Sequence, residues 1–197
     1  MTFDDIFAGH RVMAVLRGLE PGKTVEVATA LWDAGVTVLE VPIATTDAVA
    51  SLRAVADAAG ERGLRVGAGT VITVEQVRAA SDANAQYTVA PGLDLDILAA
   101  SQAAGMPHLP GVGTATEVQR AWLAGARWLK AFPAAALGPG WISALHSPFP
   151  EVRFVATGGL SIASAPRFLD AGARVVALGA ALADPAQRDQ IGRLLTP

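Results

Sequence analysis

The segment ARWLKAFP, residues 126–133, sets one charged side chain, Lys130, inside an apolar run. The chain holds one other lysine, Lys23, against thirteen arginines. An arginine would pair a carboxylate with better geometry, but only lysine can shed its proton and act as an amine. Dry surroundings favour that neutral form. A neutral amine condenses with a ketone, and the iminium then withdraws electrons from the neighbouring carbon–carbon bond. Protons must move on the carbinolamine, on the hydroxyl beside the breaking bond and on the enamine carbon, so a carboxylate has to lie close by. Glu40, in VTVLEVP, is the candidate. The competing reading is a structural ion pair, or a lysine whose stem lies on apolar surface while its ammonium reaches water. Burying two charges costs several kcal/mol per ion, and apolar residues often serve as well or better. A purely structural role therefore explains the lysine less well than chemistry does.

A repeated turn ties the two residues together. Four strand candidates are entered by the same small-residue pattern: AGVTVLE (34–40), ANAQYTV (83–89), AGARWLK (124–130) and AGARVVA (171–177). They belong to a longer series of short apolar runs, VMAVL (12–16), TVLEV (37–41), LRVGA (64–68), QYTVA (86–90), PHLPG (107–111), RWLKA (127–131), VRFVA (152–156) and RVVAL (174–178). Ala-rich stretches with helical spacing lie between them, such as KTVEVATALWDAG, TVEQVRAASDA and TATEVQRAWLAG. Thr73 with Gln76 forms a capping box. Eight strand–helix units predict an α/β fold, a (β/α)8 TIM barrel of minimal loops, with TFDDIFAGH as a short N-terminal helix plugging its bottom. Residues 1–197 are expected to form one domain. A doubly wound open sheet is the alternative, but no G-x-G-x-x-G follows the first strand. In a barrel, alternate strands supply each inward layer. Equal positions in the four turns then put Glu40, Val89, Lys130 and Ala177 in one layer, the acid and the amine facing across the axis.

Further candidates gather at the same predicted mouth. Thr157-Gly158-Gly159 ends the seventh strand, Ser161 is a plausible cap for the next helix, and Gly179-Ala180 ends the eighth strand. Glycine-lined backbone there suits an anion, and phosphate sites of such barrels lie after strands seven and eight. Tight turns alone would also account for the glycines. Gly67-Ala68-Gly69-Thr70 and Ala90-Pro91-Gly92 are unspecific on their own. Arg17, closing AVLRG, could clamp a carboxylate or phosphate, or lie solvated at the surface. His108 falls in a strand and reads as a core or mouth residue, and the four tryptophans as packing between helices and barrel or at an intersubunit face.

Composition excludes other classes. A chain 52% hydrophobic and 17% charged is a compact globule. A net charge of −3 gives no footprint for nucleic acid or an anionic membrane. Without cysteine there are neither disulfides nor thiolate metal sites. No metal site is expected, since no carboxylate–histidine cluster has ligand spacing. MTFDDIFAGH has acids where a signal peptide needs a basic start, and no apolar run is long enough to span a bilayer, so a cytoplasmic protein is expected.

From about residue 11 to 183 the chain resembles the class I aldolases that act on 2-dehydro-3-deoxy-6-phosphogluconate and its galactonate epimer. The stretches that carry the resemblance are AVLRG, DAGVTVLEVPI, GAGTV, VAPGL, PGVGTATE, AGARWLKAFP, FVATGGL and LGAAL. AVLRG, EVPI, GTATE and the LGPGW region are closer to the galactonate branch. The resemblance implies that Lys130 forms the Schiff base and that Glu40 is the general acid/base. It implies that Arg17 and Thr70 hold the carboxylate and hydroxyl end of a phosphorylated keto sugar acid. Pro91 and Phe132 would wall the pocket, and Gly158, Gly159, Gly179 and Ala180 would take the phosphate. A homotrimer without cofactor or metal is also implied. Many members carry serine where Ala180 stands, and gluconate-branch members an arginine where Ala44 stands. A phosphorylated ligand here would thus lean on backbone N–H groups and Arg17. The unphosphorylated 2-keto-4-hydroxy acids, and a phosphosugar-binding barrel without lyase activity, are the alternatives.

Overall fold

The structure, a computed structural model, describes residues 1–179, 182 and 190–195. Its parallel strands are β1 (Val12–Val15), β2 (Val38–Pro42), β3 (Val66–Gly69), β4 (Tyr87–Val89), β5 (His108–Leu109), β6 (Gly111–Val112), β7 (Trp128–Ala131), β8 (Arg153–Thr157) and β9 (Val175–Leu178). Helices α1 (Phe3–Ile6), α2 (Pro21–Asp33), α3 (Thr46–Glu61), α4 (Val74–Asp82), α5 (Leu95–Ala103), α6 (Ala115–Leu123), α7 (Ala134–Leu137), α8 (Pro139–His146), α9 (Ala165–Asp170) and α10 (Gly192–Leu195) alternate with them. The sheet order is β5-β4-β3-β2-β1-β9-β8-β7-β6. Its two ends, β5 and β6, are consecutive in the chain, so the sheet curls into a barrel and the open-sheet alternative falls.

One expected strand, 107–111, is split. Pro110 has no N–H to give to a ladder. Its carbonyl instead accepts from Lys130 N at 2.8 Å, while Gly111 N donates to Gly92 O at 3.1 Å. A Cβ on Gly111 would stand 2.2 Å from the carbonyl of Pro91, so only glycine lets the two backbones meet. β5 then pairs with β4, and β6 with β7.

Strand alternation sorts side chains into two cores. Val12, Ala14, Leu39, Val41, Leu129, Ala131, Val176 and Leu178 face the helices. Met13, Val38, Tyr87, Val89, Leu109, Trp128, Val155, Val175 and Ala177 fill the lumen. By the same alternation Glu40 and Lys130 face inward, as the repeated turns predict.

Beneath the lumen, Thr2 and Asp5 close a capping box on α1, whose Phe3 and Ile6, with Phe7, join the inner core. Phe7 packs on Trp128 with ring centroids 4.8 Å apart. Trp128 is therefore a lumen residue, unlike the other three tryptophans, which pack with the outer core. No helix among the described residues is long and apolar enough to cross a membrane.

Candidate functional site

Lys130 and Glu40 come together inside the barrel, Nζ 3.9 Å from Oε1, at 5% and 1% exposure. That separation is too long for a hydrogen bond. Neither carboxylate oxygen of Glu40 has a hydrogen-bond partner among the described residues. The acid is therefore near the amine without being locked to it. Gly69 makes this placement possible: a Cβ there would sit 1.9 Å from Glu40 Oε1. One layer lower, Gly67 clears the ring of Tyr87, which a Cβ would approach to 2.0 Å. The Tyr87 hydroxyl donates to Leu39 O. Burial pushes that phenol well above its ordinary range, and the charge of Glu40 adds to the effect.

A cavity of about 440 Å³ opens above Lys130, lined by Val15, Arg17, Phe132, Thr157, Gly158, Gly159, Leu160, Ala177 and Gly179. The lysine ammonium lies 5.3 Å from the Phe132 ring centroid. Phe132 also presses on the next loop: a Cβ on Gly158 would meet its ring at 2.9 Å, and one on Gly159 would meet Ala135 Cβ at 2.8 Å. Both glycines have positive φ, 101° and 73°. Among the described residues, no backbone hydrogen bond takes up the N–H groups of Gly158, Gly159, Leu160 or Gly179. Unpaired N–H groups gathered at one cavity from the loops after β8 and β9 suit an anion. Ala180 lies outside the described residues.

Arg17 reaches the same cavity and donates from Nη2 to Thr70 Oγ1 at 3.3 Å. Thr70 holds φ at 58°, a left-handed conformation that a β-branched residue rarely adopts. Strain of this kind concentrates at functional sites. Thr70 thus joins the site through Arg17 and not as a wall of the cavity. Pro91 does not line the cavity either; it packs on Gly111, the register partner of Lys130. The Ser161 hydroxyl accepts from Ser164 N at 3.1 Å, closing a turn before α9 begins, so it does not cap the helix directly.

Sequence reasoning missed two features of this site. The first is the Thr157 hydroxyl, which lines the same cavity as Lys130 and whose one contact is a marginal 3.5 Å to Val155 O. The second is the pair Gly67 and Gly69, which lie in β3 and make room for the lumen side chains. Their G-x-G spacing was visible, but nothing in it names the side chain opposite.

His108 stands apart from this chemistry. It is buried, with Nδ1 2.8 Å from Thr88 Oγ1, which is 2.6 Å from Ser101 Oγ; that hydroxyl donates to Met106 O at 3.0 Å. Counting protons along the chain makes Nδ1 the donor and leaves Nε2 a bare acceptor. Nε2 has no partner among the described residues. Burial lowers the His108 pKa to about 4, against a smaller opposing effect of Asp94. No group of three or more histidines, aspartates or glutamates among the described residues could hold a metal.

Comparison with known proteins agrees with this geometry. The family model described as "KDPG and KHG aldolase" matches residues 3–194. The 2-dehydro-3-deoxy-6-phosphogalactonate aldolase of Escherichia coli is 36% identical over 87% of this chain and 83% of its own. The 2-dehydro-3-deoxy-phosphogluconate aldolase of Treponema pallidum is 36% identical over 90% of this chain and 83% of its own. Among solved structures, the KDPG aldolase of Legionella pneumophila, with pyruvate captured as a covalent carbinolamine, superposes with a TM-score of 0.84 at 30% identity. That match covers 96% of this chain and 92% of the other. An aldolase from Zymomonas mobilis gives a TM-score of 0.89 at 29% identity, covering all of this chain and 97% of the other. The chain belongs to the KDPG and KHG aldolase family and is an aldolase.

Proposed function

We propose that this enzyme reversibly cleaves 2-dehydro-3-deoxy-6-phosphogalactonate, or its 6-phosphogluconate epimer, to pyruvate and D-glyceraldehyde 3-phosphate through a Schiff base on Lys130. The observation that carries the reading is the buried amine 3.9 Å from a carboxylate without hydrogen bonds, under an open cavity. The Lys130 amine, after giving up its proton, adds to the C2 keto carbon, and loss of water gives the iminium. Glu40, directly or through one water, takes the proton of the C4 hydroxyl. The C3–C4 bond breaks, its electron pair flows into the iminium to make an enamine, and the aldehyde leaves. Protonation at C3 and hydrolysis of the imine release pyruvate and free the lysine. Arg17, oriented by Thr70, pairs with the substrate carboxylate, Phe132 walls the pocket, and Pro91 acts from behind it by packing on Gly111, the register partner of Lys130. The Gly158–Gly159 loop, with Gly179 and Ala180, receives the phosphate.

Pyruvate release from each phosphorylated epimer, followed by lactate dehydrogenase, tests this reading. Turnover of at least one epimer that vanishes in Lys130→Ala is expected. No pyruvate from either would refute it.

A second reading, the same chemistry on an unphosphorylated 2-keto-4-hydroxy acid, is favoured by the cation content of the cavity. Beyond Lys130, Arg17 is its one cationic lining residue among those described. Comparing glyceraldehyde with glyceraldehyde 3-phosphate as acceptors separates the two. The working form is a cytoplasmic homotrimer. It is supported by Ile72 and Leu95, exposed at 55% and 38% on the mouth side of the barrel. A matched chain in a cage designed by fusing symmetric oligomeric domains also supports it, at 31% identity and a TM-score of 0.84. Light scattering on Ile72→Asp, which should shift mass toward the monomer, checks this.

A further inference from the structure

Five of the thirteen arginines stand at the entrance of a barrel strand: Arg11, Arg65, Arg127, Arg153 and Arg174. All lie at the end of the barrel opposite Lys130 and its cavity. A second cavity, of about 770 Å³, opens there between α1 and the starts of β7, β8 and β9. Arg11, Arg153, Arg174, His10 and His146 line it, and Asp4 is the one carboxylate among its lining residues. Asp4 is already engaged, taking an ion pair from Arg153 and a hydrogen bond from Trp128 Nε1 at 3.0 Å. The exposed Arg174 guanidinium has no ion pair or hydrogen bond among the described residues. Positive charge thus exceeds negative here, on a chain whose net charge is −3.

Helix carboxyl ends favour nearby cations weakly. That accounts for single arginines, but not for three arginines around one concavity with one acid in its lining, where His10 and His146 are hydrogen-bonded to Thr37 Oγ1 and Gly172 O. Like charges held together destabilise the fold unless a counter-charge joins them. The volume falls within the range of small-molecule sites, and arginine forks match phosphate oxygens. We propose that this cavity is a binding site for a compact polyanion of the diphosphate class, separate from the aldolase site.

The test is calorimetric titration of the full chain with inorganic pyrophosphate. The expected result is a site that persists in Arg17→Ala and Lys130→Ala. Arg174→Ala should weaken it about tenfold or more, the usual consequence of losing one charge-assisted contact. Asp4→Asn should tighten it severalfold, because it removes the repelling carboxylate and frees Arg153. Arg174 is exposed, so its truncation should leave the fold intact, and an unchanged urea midpoint verifies that. Two results overturn the proposal: no binding at millimolar pyrophosphate, or binding indifferent to both Arg174→Ala and Asp4→Asn, which would assign the anion to the mouth.

Discussion

Removing the cation from the buried pair offers a quantitative test of the site. At 3.9 Å, with 5% and 1% exposure, Lys130 and Glu40 interact through a medium far less screening than water. Coulomb's law with an effective dielectric constant of about 20 gives roughly 4 kcal/mol of attraction. In Lys130→Met the acid stays buried without its cation, and breaking one side of such a pair costs about 3–5 kcal/mol. Glu40→Gln in the same background removes the stranded charge. The double variant should then recover most of that loss, to or above the parent, because apolar or neutral replacements of buried pairs are often as stable. Urea unfolding of the parent, both single variants and the double variant closes the cycle, and the two single losses together should exceed that of the double variant by at least about 4 kcal/mol. Should Lys130→Met match the parent in stability, Lys130 and Glu40 do not form a buried ion pair.

Gly69→Ala should force the carboxylate aside, because its Cβ would lie 1.9 Å from Oε1. We expect a stability loss of about 1–3 kcal/mol and a fall in turnover of at least about 100-fold, read by urea midpoint and pyruvate release. Thr157→Val should leave stability within about 0.5 kcal/mol, since the hydroxyl makes only a marginal contact. It should change kcat/KM about tenfold and alter the ratio between the two epimers; an unchanged ratio would show that the hydroxyl does not touch substrate. His108 makes stability depend on pH. Burial lowers its folded pKa to about 4, below the 6.5 of the unfolded chain. Above pH 6.5 both states are neutral, and as pH falls from 6.5 toward 4 the unfolded chain binds the proton first. Stability should drop by about 3 kcal/mol across that window. In His108→Gln, unfolding midpoints at pH 7 and pH 4.5 should differ by correspondingly less.

Much of the barrel was legible because buried parallel strands are short β-branched runs and capped helices announce their starts, as Thr73 and Gln76 do. The repeated small-residue turn was more informative still, since equal spacing from a common turn set Glu40 and Lys130 at matching heights on strands of the same parity. What stayed hidden depends on partners remote in sequence. The break at Pro110 follows from the approach of Pro91 to Gly111, and the lumen placement of Trp128 from its contact with Phe7 of the N-terminal plug. Gly69 could not be assigned a role until the register set Glu40 beside it. The same limit applies to Thr157, which reads as the end of a strand until the cavity wall is seen.

Turnover by this chemistry requires the Lys130 amine to become covalently bonded to a keto acid. Incubation with pyruvate and sodium borohydride, followed by peptide mass mapping, measures this directly. A reduced pyruvyl group should appear on the Lys130 peptide, absent in Lys130→Ala and still formed in Glu40→Gln. An unmodified Lys130 peptide, under conditions that label a control Schiff-base aldolase, would contradict it.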